Sequence, residues 1–110
     1  MVSLDTIFDL LSSENRRYAL YYLTEQDGPV SVNDLVGAVA EWEDTPPTKT
    51  HLEQFEQVKV ELQHNDLPKS AEVDFIKYDQ DEELIQIQGE PPEFEAFVAI
   101  ARIIERPATD

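Results

Sequence analysis

The first apolar residues, Leu4, Ile7, Phe8 and Leu11, recur at i, i+3, i+4 and i+7, the spacing that lines one face of an α-helix. Ser12-Ser13 closes that helix, and Ser13 is placed to cap a second one with Glu14 in its first turn. Tyr18, Ala19, Tyr22 and Leu23 form the stripe of the second helix, which Gly28-Pro29 ends near Asp27. Val30-Ser31 leaves room for one extended pair. Ser31 and Asp34 then stand at capping-box spacing and open a third helix that buries Leu35, Val36, Val39 and Trp42. An acidic, proline-broken loop follows, Glu43-Asp44-Thr45-Pro46-Pro47. Thr50 and Glu53 repeat the capping-box spacing, so a fourth helix starts there with Leu52, Phe55, Val58 and Leu62 inward.

Two readings stay open at Asn65-Asp66-Leu67-Pro68. Either the proline kinks the fourth helix, or Asp66 caps a short new helix with proline in its first turn. Val73 to Tyr78 and Leu84 to Gln88 are β-prone and flank the acidic tip Asp79-Gln80-Asp81-Glu82-Glu83, a hairpin pattern. Pro91-Pro92 opens a last helix that runs to about Glu105 and stops at Pro107. This order predicts an α+β winged helix-turn-helix: three to four helices, a β-hairpin wing and a C-terminal dimerisation helix. Residues 1–90 form the winged-helix domain, and residues 91–107 form a helix packed on it and on a partner subunit.

The stretch from Val58 to Asp79 carries Leu62, His64, Leu67-Pro68-Lys69, Ala71, Ile76 and Tyr78-Asp79. It resembles the haloarchaeal family of uncharacterised winged-helix domains with a Leu-x-x-x-His-Leu-Pro-Lys-Leu, small-Gly-Val-Val-x-Tyr-Asp signature. The segment Leu10-Leu-Ser-Ser-Glu-Asn-Arg-Arg-Tyr-Ala-Leu20 is similar to that family's opening helices. The resemblance covers most of the chain and implies a winged-helix regulator of transcription. Three positions depart from it: Asp66 stands where the family has histidine, Ser70 where it has leucine, and Asp74 where it has glycine.

The chain is strongly acidic. The 110 residues hold 24 Asp and Glu against 8 Lys and Arg, a net charge of −16, while the hydrophobic fraction of 41% stays globular. The excess is therefore a surface property. Carboxylates spread over a whole chain suit a cytoplasm of molar salt, where they hold water and ions and the Debye length falls to about 3 Å. Cysteine is absent, which excludes disulfides, thiolate chemistry and cysteine-bound metal. The start Met1-Val2-Ser3-Leu4-Asp5 lacks a basic, apolar leader, and no apolar run approaches the roughly 20 residues of a membrane span. A soluble cytoplasmic protein without membrane contact is expected.

No catalytic site is expected. Serine lies in no nucleophile elbow, glycine occurs three times only, and the Glu82-Glu83 pair sits in the hairpin turn. His51 and His64 are too far apart in sequence to ligate from one helical face, so no metal or other cofactor is expected. Double-stranded DNA is the candidate ligand. Residues 48–70 are the least acidic part of the chain, with three lysines against four carboxylates. The candidate contacts are Lys49, Thr50, Gln57, Lys59, His64, Lys69 and, on the wing, Lys77. On the same helix Glu53 and Glu56 also turn outward, where they oppose phosphate, so binding of another protein is the rival expectation. The last helix has one apolar face of Phe94, Phe97, Val98, Ala101 and Ile104, and a second of Ala96, Ala99, Ile100 and Ile103. Glu95, Arg102 and Arg106 make its only polar strip. Such a helix is buried on two sides, and a homodimer interface of Phe97, Ile100, Ile103 and Ile104 is expected.

Overall fold

The computed structural model describes residues 3–43 and 48–105. Residues 44–47 of the expected acidic loop, Arg106 and the expected stop at Pro107 lie outside the described residues. Helix α1 is Leu4–Leu10, capped by the Ser3 hydroxyl, which accepts the Thr6 N–H at 3.1 Å. Of the expected stripe, Ile7 is buried and Leu11 packs partly buried on the core, whereas Leu4 and Phe8 are about half exposed and Leu10 takes an inward place. A helix of two turns follows whichever residues its neighbours cover. Here the Phe8 ring leans outward and meets Phe97 edge-on at 5.5 Å.

Helix α2, Glu14–Thr24, starts at Ser13 as its sequence says but ends three residues before Asp27. Its stripe is also wider than the periodicity suggested, because Leu20 and Tyr21 are buried with Tyr18, Ala19 and Leu23. The cause is position: α2 packs against α3 (Val32–Trp42) on one side and α6 (Pro92–Glu105) on another. Trp42 closes the α3 contact, edge-on to Tyr18 at 6.1 Å and to Tyr22 at 6.3 Å.

Strand β1, Val30–Ser31, pairs antiparallel with β3, Leu84–Ile87, which pairs in turn with β2, Ile76–Asp79, giving the sheet order β1-β3-β2. The Val30↔Ile85 and Tyr78↔Ile85 registers set Ile85 at the sheet centre, where it is fully buried. The hairpin is shorter than the expected 73–88 span because residues 71–75 turn before pairing begins. This is an α+β fold in a winged-helix-like arrangement.

Helix α4, His51–Glu61, opens on a complete capping box, with Thr50 Oγ1 accepting the Glu53 N–H at 3.1 Å and Glu53 Oε1 accepting the Thr50 N–H at 2.8 Å. Of the two readings of Pro68, the second holds in part: a short helix starts at Leu67 with the proline in its first turn and Asp66 at its cap position, but without a side-chain cap. The chain stays helical through a π-helical turn, Leu62–Asp66, where the Leu67 N–H reaches back to the Leu62 carbonyl, and continues as α5, Leu67–Ser70. The wider turn drops Pro68 into a first helical turn, where its missing N–H leaves nothing unpaired.

Asp66 caps nothing with its side chain. Its buried carboxylate takes Arg16 Nη1 at 3.0 Å and the Ser13 hydroxyl at 3.2 Å. The same guanidinium donates through Nε to the Leu10 carbonyl at 2.8 Å and through Nη2 to the Asp9 carbonyl at 2.7 Å, so it satisfies the open end of α1. Burial raises the Asp66 pKa, against the pull of the Ser13 hydroxyl and the Arg16 charge. Arg16→Ala is expected to lower stability in urea by about 3–5 kcal/mol, since it strands a buried carboxylate. Replacing both partners together, as Arg16→Met with Asp66→Leu, recovers much of that loss. A single-variant loss within about 0.5 kcal/mol, the range of an ordinary surface change, would show that the pair does not hold the helices together.

Candidate functional site

The face of α4 that a winged helix turns to a ligand is set by the residues that α4 buries. Gln54, Val58 and Leu62 point into the core, and the Gln54 amide donates to Glu43 Oε1 at 3.1 Å. With 100° between successive residues, Glu53, Glu56, Gln57 and Val60 then face solvent. All four are exposed. So is Leu52, at 69%, which corrects its place in the expected inward stripe. Gln54 takes the inward place instead, because its amide has a carboxylate partner at the end of α3. A polar residue at a core position is invisible to a hydrophobic period.

The seven candidate DNA contacts divide. Gln57, His64 and Lys77 are exposed, and Lys49 and Lys59 are half-buried at the start and in the last turn of α4. Thr50 is engaged in the capping box. Lys69 is held by Asp9 at 2.6 Å and by Glu72 at 3.5 Å, and the Asp9 contact raises its pKa. It therefore lies on the α1 side, away from the outward stripe of α4. The wing adds no cation at its tip: Gln80, Asp81, Glu82 and Glu83 are all exposed, with Glu83 at φ 55°. Lys77 sits on β2 opposite Gln86.

At the end of α3, Glu43 is the half-buried carboxylate that accepts the Gln54 amide. Burial first, then the charges of Glu14, Glu61 and Asp66, push Glu43 up to about 7, and Lys49 pulls weakly the other way. Burial and Glu14 push the nearby Tyr18 up to about 12. Among the described residues, no group of three or more His, Asp or Glu side chains is placed to hold a metal ion. A recess of about 760 Å³ is an open groove between the wing and the 71–74 turn, walled by Glu72, Asp74, Asp79 and Asp81 beside Tyr78. It lacks the enclosed apolar lining of a small-molecule pocket. No helix among the described residues is long and apolar enough to cross a membrane.

The four expected dimer residues all lie on α6. Phe94 and Val98 are buried, and the Phe94 ring packs on Phe75 at 4.7 Å. Glu105 receives Arg17 Nε at 2.9 Å, Arg17 Nη2 at 2.8 Å and the Tyr21 hydroxyl at 2.8 Å, contacts that hold its carboxyl below the usual range. Arg102 pairs with Glu25. This clamp turns Ile104 outward to 78% exposure, which removes it from the face expected to pack on its own domain. Ile100 and Ile103 are exposed beside it, and Phe97 is half-buried.

Residues 8–86 match the family model described as Domain of unknown function (DUF7344). The chain belongs to that family. The match takes in α1 from Phe8 through β3 as far as Gln86, and stops short of α6. Neither the comparison with curated proteins nor that with solved structures gave a match.

The raised Glu43 carries a pH signature. Its proton is held more tightly in the folded state, so its stabilising contribution is complete below about 4.5 and is lost as pH rises through about 7. Glu43→Gln is therefore expected to be more stable than the unaltered protein at pH 8, by about 1 kcal/mol after allowance for its partial exposure. The advantage should vanish towards pH 4.5, as read by urea unfolding of both proteins in parallel. An equal difference at both pH values would show that Glu43 titrates normally.

Proposed function

We propose that this chain is a winged-helix regulatory module from the cytoplasm of a salt-accumulating archaeon, and that its α4 face binds protein in place of DNA. The observation that carries the reading is the composition of that face. Leu52 and Val60 stand open beside Glu53 and Glu56, on the helix that would have to approach phosphate. Two carboxylates on an approaching helix repel the backbone that supplies most of the affinity in DNA binding. Two exposed aliphatic side chains gain nothing from phosphate but gain from an apolar partner surface. The acidic wing tip and the engagement of Lys69 by Asp9 act in the same direction.

One observation favours the alternative of a DNA-binding regulator. Lys49, Lys59 and Gln57 flank the same helix, and Lys77 projects from the wing strand, so a shape-dependent contact would have some cations to use.

A photo-crosslinking amino acid at position 52 or 60, activated in cells at native salt, separates the two. Protein adducts are expected. DNA adducts, together with saturable binding of the gene's own upstream duplex that Lys49→Glu with Lys59→Glu abolishes, would establish the alternative.

The salt-accumulating origin has its own test. Moving the protein from about 2 M to about 0.1 M potassium chloride lengthens the Debye length several-fold and exposes 24 carboxylates to one another. The helical circular-dichroism signal is expected to fall. Full helicity and an unchanged Tm at low salt would overturn that origin.

A further inference from the structure

The outward arc of α6 runs without a charge through Ala96, Ile100, Ile103 and Ile104 and joins α1 at the edge-on contact of Phe97 with Phe8. We propose that this composite α1/α6 face is a homodimer interface, occupied by the same face of a second copy with the two α6 helices antiparallel. The inference is independent of what α4 binds.

The surface is fixed in place. Glu105 is clamped by Arg17 and Tyr21, Arg102 is paired with Glu25, and Phe94 and Val98 are sunk in the core, so both ends of α6 and its inner side are held. The isoleucines are therefore presented by a docked helix, with Ile104 at 78% and Ile103 at 64% exposure.

Area and shape both select a second copy. Phe8, Ile100, Ile103 and Ile104 are each more than half exposed and offer about 100 Å² or more apiece, and the half-buried Phe97 adds a smaller part. Two such faces bury about 1,000 Å² in total, the lower bound that a specific interface clears when its surfaces are complementary. The face is also complementary to itself. In an antiparallel pair with its twofold axis at Ile100, residue 96 of one helix lies opposite residue 104 of the other. The small Ala96 then leaves a recess where the partner's large isoleucine enters, twice over by symmetry.

Charge points the same way. The chain carries −16, so a basic partner would be drawn to its carboxylate-rich surfaces, not to an arc on which Ala96, Ile100, Ile103 and Ile104 carry no charge. For two acidic copies this arc is the approach with the least repulsion. Molar salt screens what remains and favours apolar burial.

The test uses the full chain in about 2 M potassium chloride. Sedimentation equilibrium should give twice the monomer mass, and Ile100→Glu with Ile104→Glu should weaken association by at least about 100-fold while leaving the circular-dichroism spectrum unchanged. The natural chain has no cysteine, so introduced thiols report geometry directly. Ile100→Cys should oxidise to a covalent dimer, and Ala96→Cys mixed with Ile104→Cys should give the hetero-linked species in preference to either self-linked one. A chain that is monomeric at about 100 μM in this salt overturns the proposal. So does an oligomer whose mass the glutamate changes leave intact, or one in which Ile100→Cys fails to cross-link.

Discussion

The buried pair of Arg16 and Asp66 ties together three parts of the chain that sequence separation keeps apart. Its guanidinium takes up the free carbonyls at the end of α1, sits within α2, and holds the carboxylate that ends the π-helical turn after α4. Each contact is charge-assisted and shielded from water, the condition under which losing one partner costs most. Asp66 is buried on the same side as Val58 and Leu62, while Leu52, Glu56 and Val60 lie in solvent.

The same scarcity of cations governs what the surface can do. Arg16 is paired with Asp66, Arg17 with Glu105, Arg102 with Glu25 and Lys69 with Asp9. These pairs fasten α1, α6 and the α4–α5 junction to α2 and to one another. A chain with 24 carboxylates and eight cations that engages half of those cations internally has few left to meet phosphate. Structural need and DNA affinity draw on the same side chains, and in this fold the structural need is met first.

Much of this was legible from the sequence. The caps at Ser13, Ser31 and Thr50, the Val30-Ser31 strand, the α3 stripe and the Pro92 start of the last helix stand where local chemistry puts them, and the hairpin does so with a shorter first strand. Local signals failed where a third element intervenes. Periodicity assumes one buried face, so it missed Leu20 and Tyr21 in a helix covered on two sides, and it turned Leu4 and Phe8 inward on a helix too short to impose its own orientation. It also counts only apolar residues, so Gln54 in the core and Leu52 outside it were exchanged. At Asp66 the departure from the resembling family's histidine was visible. That the aspartate meets an arginine fifty positions away was not, because nothing local marks such a pair.

An acidic chain distributes carboxylates over every face that water reaches, so the position of a carboxylate says little, whereas a contiguous surface without one requires a reason. Two such features occur among the described residues. The aliphatic pair on α4 is small and flanked by glutamates. The arc on α6 is long, uncharged and rigidly held. In water of low salt that arc would be a liability, because apolar area left open invites association of any kind. In molar salt, where charge repulsion reaches only about 3 Å, the carboxylates elsewhere can no longer keep two copies apart. What limits association then is shape, and an arc that fits itself about one axis closes after two copies, whereas a face that fitted some other patch of the chain would continue into a filament.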